Sequence, residues 1–223
     1  MIHIQEVRGF EISMSHQEKH RSYKACGALY GLFVPLIPLY YKNVKITIFS
    51  LGEIVMVIFR VALEKDAQTI TEIRQKAWNT TYRGIYPDEI IDQYNFDRYY
   101  PKDLMQIKNP QLKVYLIEDG KEAVGYFIYG KNLLGTYKDF EICLKSLYIL
   151  PKYQRQGIGT QAFTMLKTYC KENHINKFYN ECNVENRNAL AFYHKMGGKI
   201  GMKDDEHESQ GENTCWIEYD EAN

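Results

Sequence analysis

The chain lacks an excess of charge of either sign: 28 Lys and Arg residues balance 28 Asp and Glu. No field of its own therefore steers it to nucleic acid or to an anionic membrane surface. It also lacks a disulfide framework. Cys26, Cys143, Cys170, Cys182 and Cys215 are odd in number and widely spaced, as expected of reduced thiols in a cytoplasmic protein. There is no Cys-x-x-Cys and no His/Cys cluster, and His174, His194 and His207 stand apart, so no metal is expected. No apolar run is long enough to span a bilayer. The nearest, Gly27 to Tyr41, is broken by Pro35 and Pro38, and it starts too far along the chain, with no small-residue cleavage site after it, for a signal peptide. These absences leave a small molecule as the expected partner.

What is present begins with Leu147-Tyr148-Ile149-Leu150-Pro151-Lys152-Tyr153-Gln154-Arg155-Gln156-Gly157-Ile158-Gly159-Thr160, an apolar strand running into a basic turn that opens a helix. Glycines at 157 and 159 allow close backbone approach, and the first N–H groups of the helix point at the same place with the positive end of its dipole. Such a turn suits phosphate. A Walker A loop is excluded because no Lys precedes Thr160. A dinucleotide turn fits better, since Gly157 to Ala162 reads G-x-G-x-x-A and Glu181 follows about 20 residues on. Against it, Pro151 to Gln156 separates the strand from the first Gly, and the remaining chain is too short for two mononucleotide halves.

A second segment, Asn186-Arg187-Asn188-Ala189-Leu190-Ala191-Phe192-Tyr193-His194-Lys195-Met196-Gly197-Gly198, by itself reads as an amphipathic helix. Together the two segments resemble the GNAT superfamily of N-acetyltransferases: Gln154-x-x-Gly157-x-Gly159 after a strand, then N-x-x-A-x-x-F-Y-x-x-x-G. Gly198 stands where the family usually has Phe. The coarse pattern agrees. A strand at Val57–Leu63 precedes a helix capped by Asp66 with Ile70, Ile73, Ala77 and Trp78 on one stripe, and a second helix opens at Pro87-Asp88-Glu89. A hairpin turns at Asp119-Gly120, and a central strand covers Glu141–Leu150. A helix over Gly159–Asn173, a strand over Lys177–Val184, a helix over Arg187–Met196 and a last hairpin complete the pattern. The predicted class is α/β with a mixed sheet, in the order βααβββαβαββ, and the resemblance implies that its fourth and fifth strands splay apart.

The resemblance further implies acetyl-CoA as co-substrate and direct transfer of its acetyl group to an amine. Pantetheine lies against the backbone of Leu147, Tyr148 and Ile149, with the Leu147 N–H facing the acetyl oxygen. The pyrophosphate is held by the Gln154, Arg155, Gln156, Gly157, Ile158 and Gly159 segment with the Thr160 hydroxyl. Tyr193 takes the place of the acid that protonates the CoA thiolate, and Asn186 either orders the cofactor or a water, or only caps the following helix. Where many relatives carry Glu on the fourth strand this chain has Cys143, and Glu141 on the same strand face becomes the expected base, acting through water. A nucleophilic Cys143 is disfavoured, having no His beside it. Trp78, Tyr82 and Tyr86, with the acidic Asp204-Asp205-Glu206-His207-Glu208 loop, suit a cationic acceptor. A small-molecule amine is the leading acceptor; a protein N-terminus or lysine is the alternative, and a non-catalytic CoA-binding module a third reading. The sequence also admits a homodimer.

The resemblance starts near Val57, just after Met56. Residues 1–55 are thus expected to be either an upstream translation of the reading frame or a loosely attached extension, and residues 56–223 the acetyltransferase domain.

Overall fold

A computed structural model describes residues 39–41, 44–46, 57–133, 135, 137, 139–207, 209 and 211–220. Cys26, most of the Gly27–Tyr41 run, Met56 and Glu208 lie outside the described residues. Among the described residues nine strands form one sheet: β1 (Leu39–Tyr41), β2 (Val44–Ile46), β3 (Val57–Val61), β4 (Leu112–Asp119), β5 (Glu122–Lys131), β6 (Ile142–Ile149), β7 (Lys177–Asn183), β8 (Lys199–Asp204) and β9 (Thr214–Asp220), in spatial order 1-2-3-4-5-6-7-9-8. Every neighbouring pair is antiparallel except β6 with β7. The short β1–β2 hairpin, which no sequence motif announces, adds to the edge of β3.

Helices α1 (Ala67–Thr81), α2 (Asp88–Asp92) and α3 (Phe96–Lys108) precede β4, α4 (Ile158–Glu172) follows β6 and α5 (Arg187–Lys195) follows β7. Alternation along each strand divides the core between two faces. Phe127, Ile142, Leu144, Phe178, Cys182 and Ile217 join the side that holds Phe163 and Leu166 of α4. Val114, Leu116, Tyr126 and Ile128 face Ile70 and Ile73 of α1.

Two local expectations are corrected. Asp66 does not cap α1 with its side chain; its carboxylate reaches back to the Leu63 N–H at 2.7 Å and to Arg60 at 2.7 Å, because a short 3-10 turn at Glu64–Asp66 intervenes. The second helical region is two helices. Asn95 interrupts it by accepting the Arg98 N–H at 2.9 Å, a cap that starts α3 afresh.

One irregularity positions the site. Opposite β5, Ile128 pairs with Ser146 and Tyr129 with Leu144, leaving Lys145 as an extra residue in β6. This bulge exchanges the faces of the strand: Ile142 and Leu144 before it, and Leu147 and Ile149 after it, all belong to the α4 and α5 side.

Candidate active site

The parallel pairing of β6 and β7 is confined to Ile142 with Phe178, Cys143 with Tyr179 and Leu144 with Asn180. From Lys145 onward β6 stays paired with β5 but parts from β7, so the two strands open a gap. The Leu150 N–H donates to Val124 on β5 at 2.9 Å. By the two-residue alternation of an antiparallel ladder, Tyr148 and Ser146 share that direction, and the backbone groups of Leu147 and Ile149 point into the gap. An open strand edge within a sheet is a place for an extended, amide-bearing ligand.

At the end of this edge the chain turns into α4. Arg155 has φ 63° and Gly157 φ 79°, an alternation of left-handed residues that turns successive N–H groups toward one point. The first intrahelical bond runs from the Gln161 N–H to Gly157, and the N–H groups of Arg155 through Thr160 have no backbone acceptor among the described residues. A non-glycine residue in the left-handed region costs about 1 kcal/mol or more, so Arg155 holds strained backbone at this turn. The loop is braced from below: Gln154 Nε2 donates to Ile149 O at 2.9 Å and Gln156 Nε2 to Lys152 O at 2.8 Å. The residues present fit a CoA-type ligand, with a nest of unused amides for diphosphate and a strand edge that β7 leaves unpaired, its Ile149 carbonyl held by Gln154, for pantetheine. A separate cleft of about 590 Å³ between Lys76 of α1 and Lys152 adjoins the loop but does not reach the gap residues Leu147 and Ile149.

Gly159 serves packing. A Cβ there would stand 3.2 Å from the Phe192 ring of α5, so the two sequence motifs meet through this glycine. The Asn186 side chain accepts the Ala189 N–H at 3.2 Å and caps α5. About two turns on, the half-buried Tyr193 lies with its ring 5.4 Å from that of Phe192. Burial first, then Cys182, Tyr148 and Cys143, raise its hydroxyl well above the usual phenol range. Tyr82, from the opposite face, is raised by burial and then by Tyr148, Cys182 and Tyr193. Tyr148, Tyr82 and Tyr193 therefore converge on the gap from both sides of the sheet. Burial pushes the Cys143 thiol up to about 11 and that of Cys182 up to about 12, so both stay protonated and neither is an activated nucleophile.

Trp78, Tyr82 and Tyr86 do come together, with ring centroids 4.7 Å, 5.4 Å and 5.5 Å apart. The Trp78 indole N–H donates to the Tyr148 hydroxyl at 3.2 Å, tying the group to β6. Beneath it Arg74 lies 5.8 Å from the Tyr148 ring and pairs with the fully buried Asp103 of α3. The β8–β9 connection reaches this group through a residue sequence reasoning missed. Gly211 is so close that a Cβ would stand 2.5 Å from the Tyr86 ring, and Asn183 Nδ2 holds its carbonyl at 3.0 Å. The exposed Glu212 follows, and its field adds to burial, Tyr148 and Tyr99 in raising the Tyr86 hydroxyl. The acidic loop itself is partly neutralised within: Asp204 meets His207 at 2.9 Å and Asp205 meets Lys203 at 3.6 Å. Glu141 is exposed, one residue before β6, and its carbonyl accepts the Asn132 N–H at 2.7 Å. About 20 Å of strand separates it from Leu147.

An amide-lined turn at the foot of a splayed parallel strand pair is the geometry of an acyl-CoA-dependent transferase. The sequence profile of the acetyltransferase (GNAT) family matches residues 68–198, and the chain belongs to that family as an acetyl-CoA-dependent N-acetyltransferase. It is 26% identical over 137 residues, 61% of this chain and 84% of the relative, to a spermidine N(1)-acetyltransferase of Thermoplasma acidophilum. The fold is similar to that of the PaiA N-acetyltransferase of Thermoplasma acidophilum in complex with coenzyme A, with TM-score 0.60 and 21% identity over 74% of this chain and 98% of that one. It is also similar to YncA of Salmonella typhimurium with acetyl-CoA, with TM-score 0.56 and 16% identity over 74% and 94% of the two chains. Among the described residues no helix is long and apolar enough to cross a membrane.

Proposed function

We propose that the enzyme moves the acetyl group of acetyl-CoA directly to a small cationic amine. The observation that carries this reading is the rim of the gap, where Trp78, Tyr82 and Tyr86 offer ring faces beside the Glu212 carboxylate. Ring faces attract a cation by about 0.5–2 kcal/mol each, and a neighbouring carboxylate adds to that field. The contact of Gly211 with Tyr86 closes one side of the rim and favours a small acceptor over a folded protein surface. Similarity to a spermidine acetyltransferase supports the same class of acceptor.

In this reading the N–H groups of Arg155 to Thr160 bind diphosphate, and the backbone of Leu147 and Ile149 binds the pantetheine amides. The Leu147 N–H supports the carbonyl oxygen as charge develops on it. Tyr193 supplies the proton that the leaving thiolate needs; its raised pKa keeps the hydroxyl protonated throughout the neutral range. A carboxylate on the α1 side of β6 or β7 removes the ammonium proton. The unbridged thiols of Cys143, Cys182 and Cys215 suit a reducing, cytoplasmic setting.

Thiol release from acetyl-CoA, measured with a panel of mono-, di- and polyamines and with peptides bearing a free N-terminus or lysine, tests the acceptor. Small polyamines are expected to give the highest kcat/KM. Peptides outrunning every small amine would replace this reading with a protein acetyltransferase.

A further inference from the structure

We propose that Glu181 of β7 is the catalytic base, the carboxylate that takes the proton from the acceptor's ammonium group. This rests on the acetyl-transfer reading above and names a residue for its unassigned step.

Strand alternation fixes the face. Phe178 and Cys182 enter the core under α4 and α5, so Tyr179 and Glu181 point the other way. Tyr179 accordingly clusters with Cys143, Phe140 and Trp216. Cys143 is register-paired with Gly130 of β5, which continues the Tyr126 and Ile128 row facing α1. Glu181 is therefore on the same side of the sheet as the Trp78, Tyr82 and Tyr86 rim.

Position along the strand decides between the two carboxylates of this face. The last β6–β7 pair is Leu144 with Asn180, so Glu181 is the first residue of β7 inside the gap and stands level with the bulged Lys145. Leu147 is two residues further, about 7 Å of strand. Glu141 is about 20 Å from the same point. A base must come within hydrogen-bond reach of its proton, directly or through one water, and Glu181 alone of the two is near enough.

Its surroundings leave it unused. Glu181 is exposed, and its carboxylate has no hydrogen bond or ion pair among the described residues. Trp216 is its register partner on β9, and the buried indole N–H there also lacks a partner among the described residues. An unused acceptor and an unused donor thus stand side by side. Glu181 also lines a cavity of about 60 Å³ with Lys131, Asn132, Cys143, Lys145 and Tyr179 among others, with room for ordered water. The titratable groups facing Glu181 are Lys131 of β5, Cys143 and Lys145 of β6, and Tyr179 of β7. Glu218 of β9, the next residue on that face, is engaged by the Tyr137 hydroxyl.

The step balances. An N–H bond of the ammonium breaks and its proton passes to Glu181, the freed lone pair forms the N–C bond to the acetyl carbon, and the C–S bond breaks with its electrons on sulfur. Tyr193 protonates that sulfur, and the proton held by Glu181 returns to the phenolate through solvent. A second ammonium proton is released to bulk water with the neutral amide.

Thiol release with the best amine of the panel provides the test. Glu181→Gln is expected to lower kcat/KM by about 100-fold or more and to remove the acidic limb of the pH profile. The thermal shift given by acetyl-CoA should be unchanged, which also shows that the variant is folded. Glu181→Asp should recover part of the rate and the limb, whereas Glu141→Gln should keep the wild-type profile. A wild-type rate and limb in Glu181→Gln, or loss of the limb in Glu141→Gln, would overturn the assignment while leaving the enzyme's activity established. A wild-type protein that releases thiol with no acceptor would overturn the acetyl-transfer reading itself, and this assignment with it.

Discussion

Removing the Asp103 carboxylate should cost more stability than any other single change beneath the aromatic rim. The side chain is fully buried, accepts the Thr71 hydroxyl at 2.9 Å and pairs with Arg74, whose own side chain is only 12% exposed. Asp103→Ala leaves a guanidinium largely out of water with no counter-ion, a loss of about 3–5 kcal/mol. For a domain of this size about 1 kcal/mol corresponds to roughly 2–4 °C, so Tm measured by circular dichroism should fall by about 6–20 °C. Arg74→Met combined with Asp103→Leu removes both charges and fills the space, and should come back to within a few degrees of wild type. If Asp103→Ala lost less than about 3 °C, or the double variant were the less stable of the two, the pair would not be the buried keystone between α1 and α3 that its geometry describes. Arg74 also lies over the Tyr99, Tyr126 and Tyr148 rings, so a surviving Asp103→Ala enzyme should show a raised KM for the amine.

Tyr193→Phe keeps the ring and deletes the proton donor, and kcat should drop by about 10²- to 10⁴-fold with acetyl-CoA affinity held; an unchanged kcat would remove it as the acid. Gly157→Glu places a negative side chain at a left-handed position of the phosphate nest, and the thermal shift with acetyl-CoA should vanish while the apo fold persists; a retained shift would dismiss the nest. Burial alone would push the Asp66 carboxyl up, but Arg60 and the Leu63 N–H hold it net below the usual carboxylate range. A depressed folded-state pKa gives stability that is present above about pH 4 and is lost on further acidification, so Tm measured between pH 6 and pH 3 should fall more steeply for wild type than for Arg60→Met, and parallel curves would count against the network.

The turn from Gln154 to Thr160 and the α5 segment were legible as structure because each is a local device, a run of backbone geometry that a few residue types must supply. Element order followed from periodicity and turns for the same reason. What escaped depends on tertiary pairing. Lys145 has no local mark of a bulge; only the mismatch between the β5 and β6 registers makes it one. The β1–β2 hairpin is visible only beside β3. Asp66 looked like a helix cap because the sequence does not display the Glu64–Asp66 turn that redirects its carboxylate to Leu63. Gly211 reads as an ordinary loop glycine until Tyr86 occupies the space of its missing side chain. Glu181 was noticed as a ribose ligand of a dinucleotide fold; its place at the mouth of the gap follows from where β6 and β7 stop pairing.

The contact between Gly159 and Phe192 makes the proposed anion turn and the proposed proton donor one mechanical piece. A methyl group added at Gly159 would press on the ring one residue before Tyr193, and in the proposed mechanism any shift of α5 that makes room for it moves the phenol relative to the sulfur. On the proposed mechanism, the tightness of the hold on the nucleotide end and the timing of thiol departure would be set against the same spacer. Sequence drift that relaxes one must retune the other, and variants selected only for weaker CoA binding should emerge with altered turnover as well.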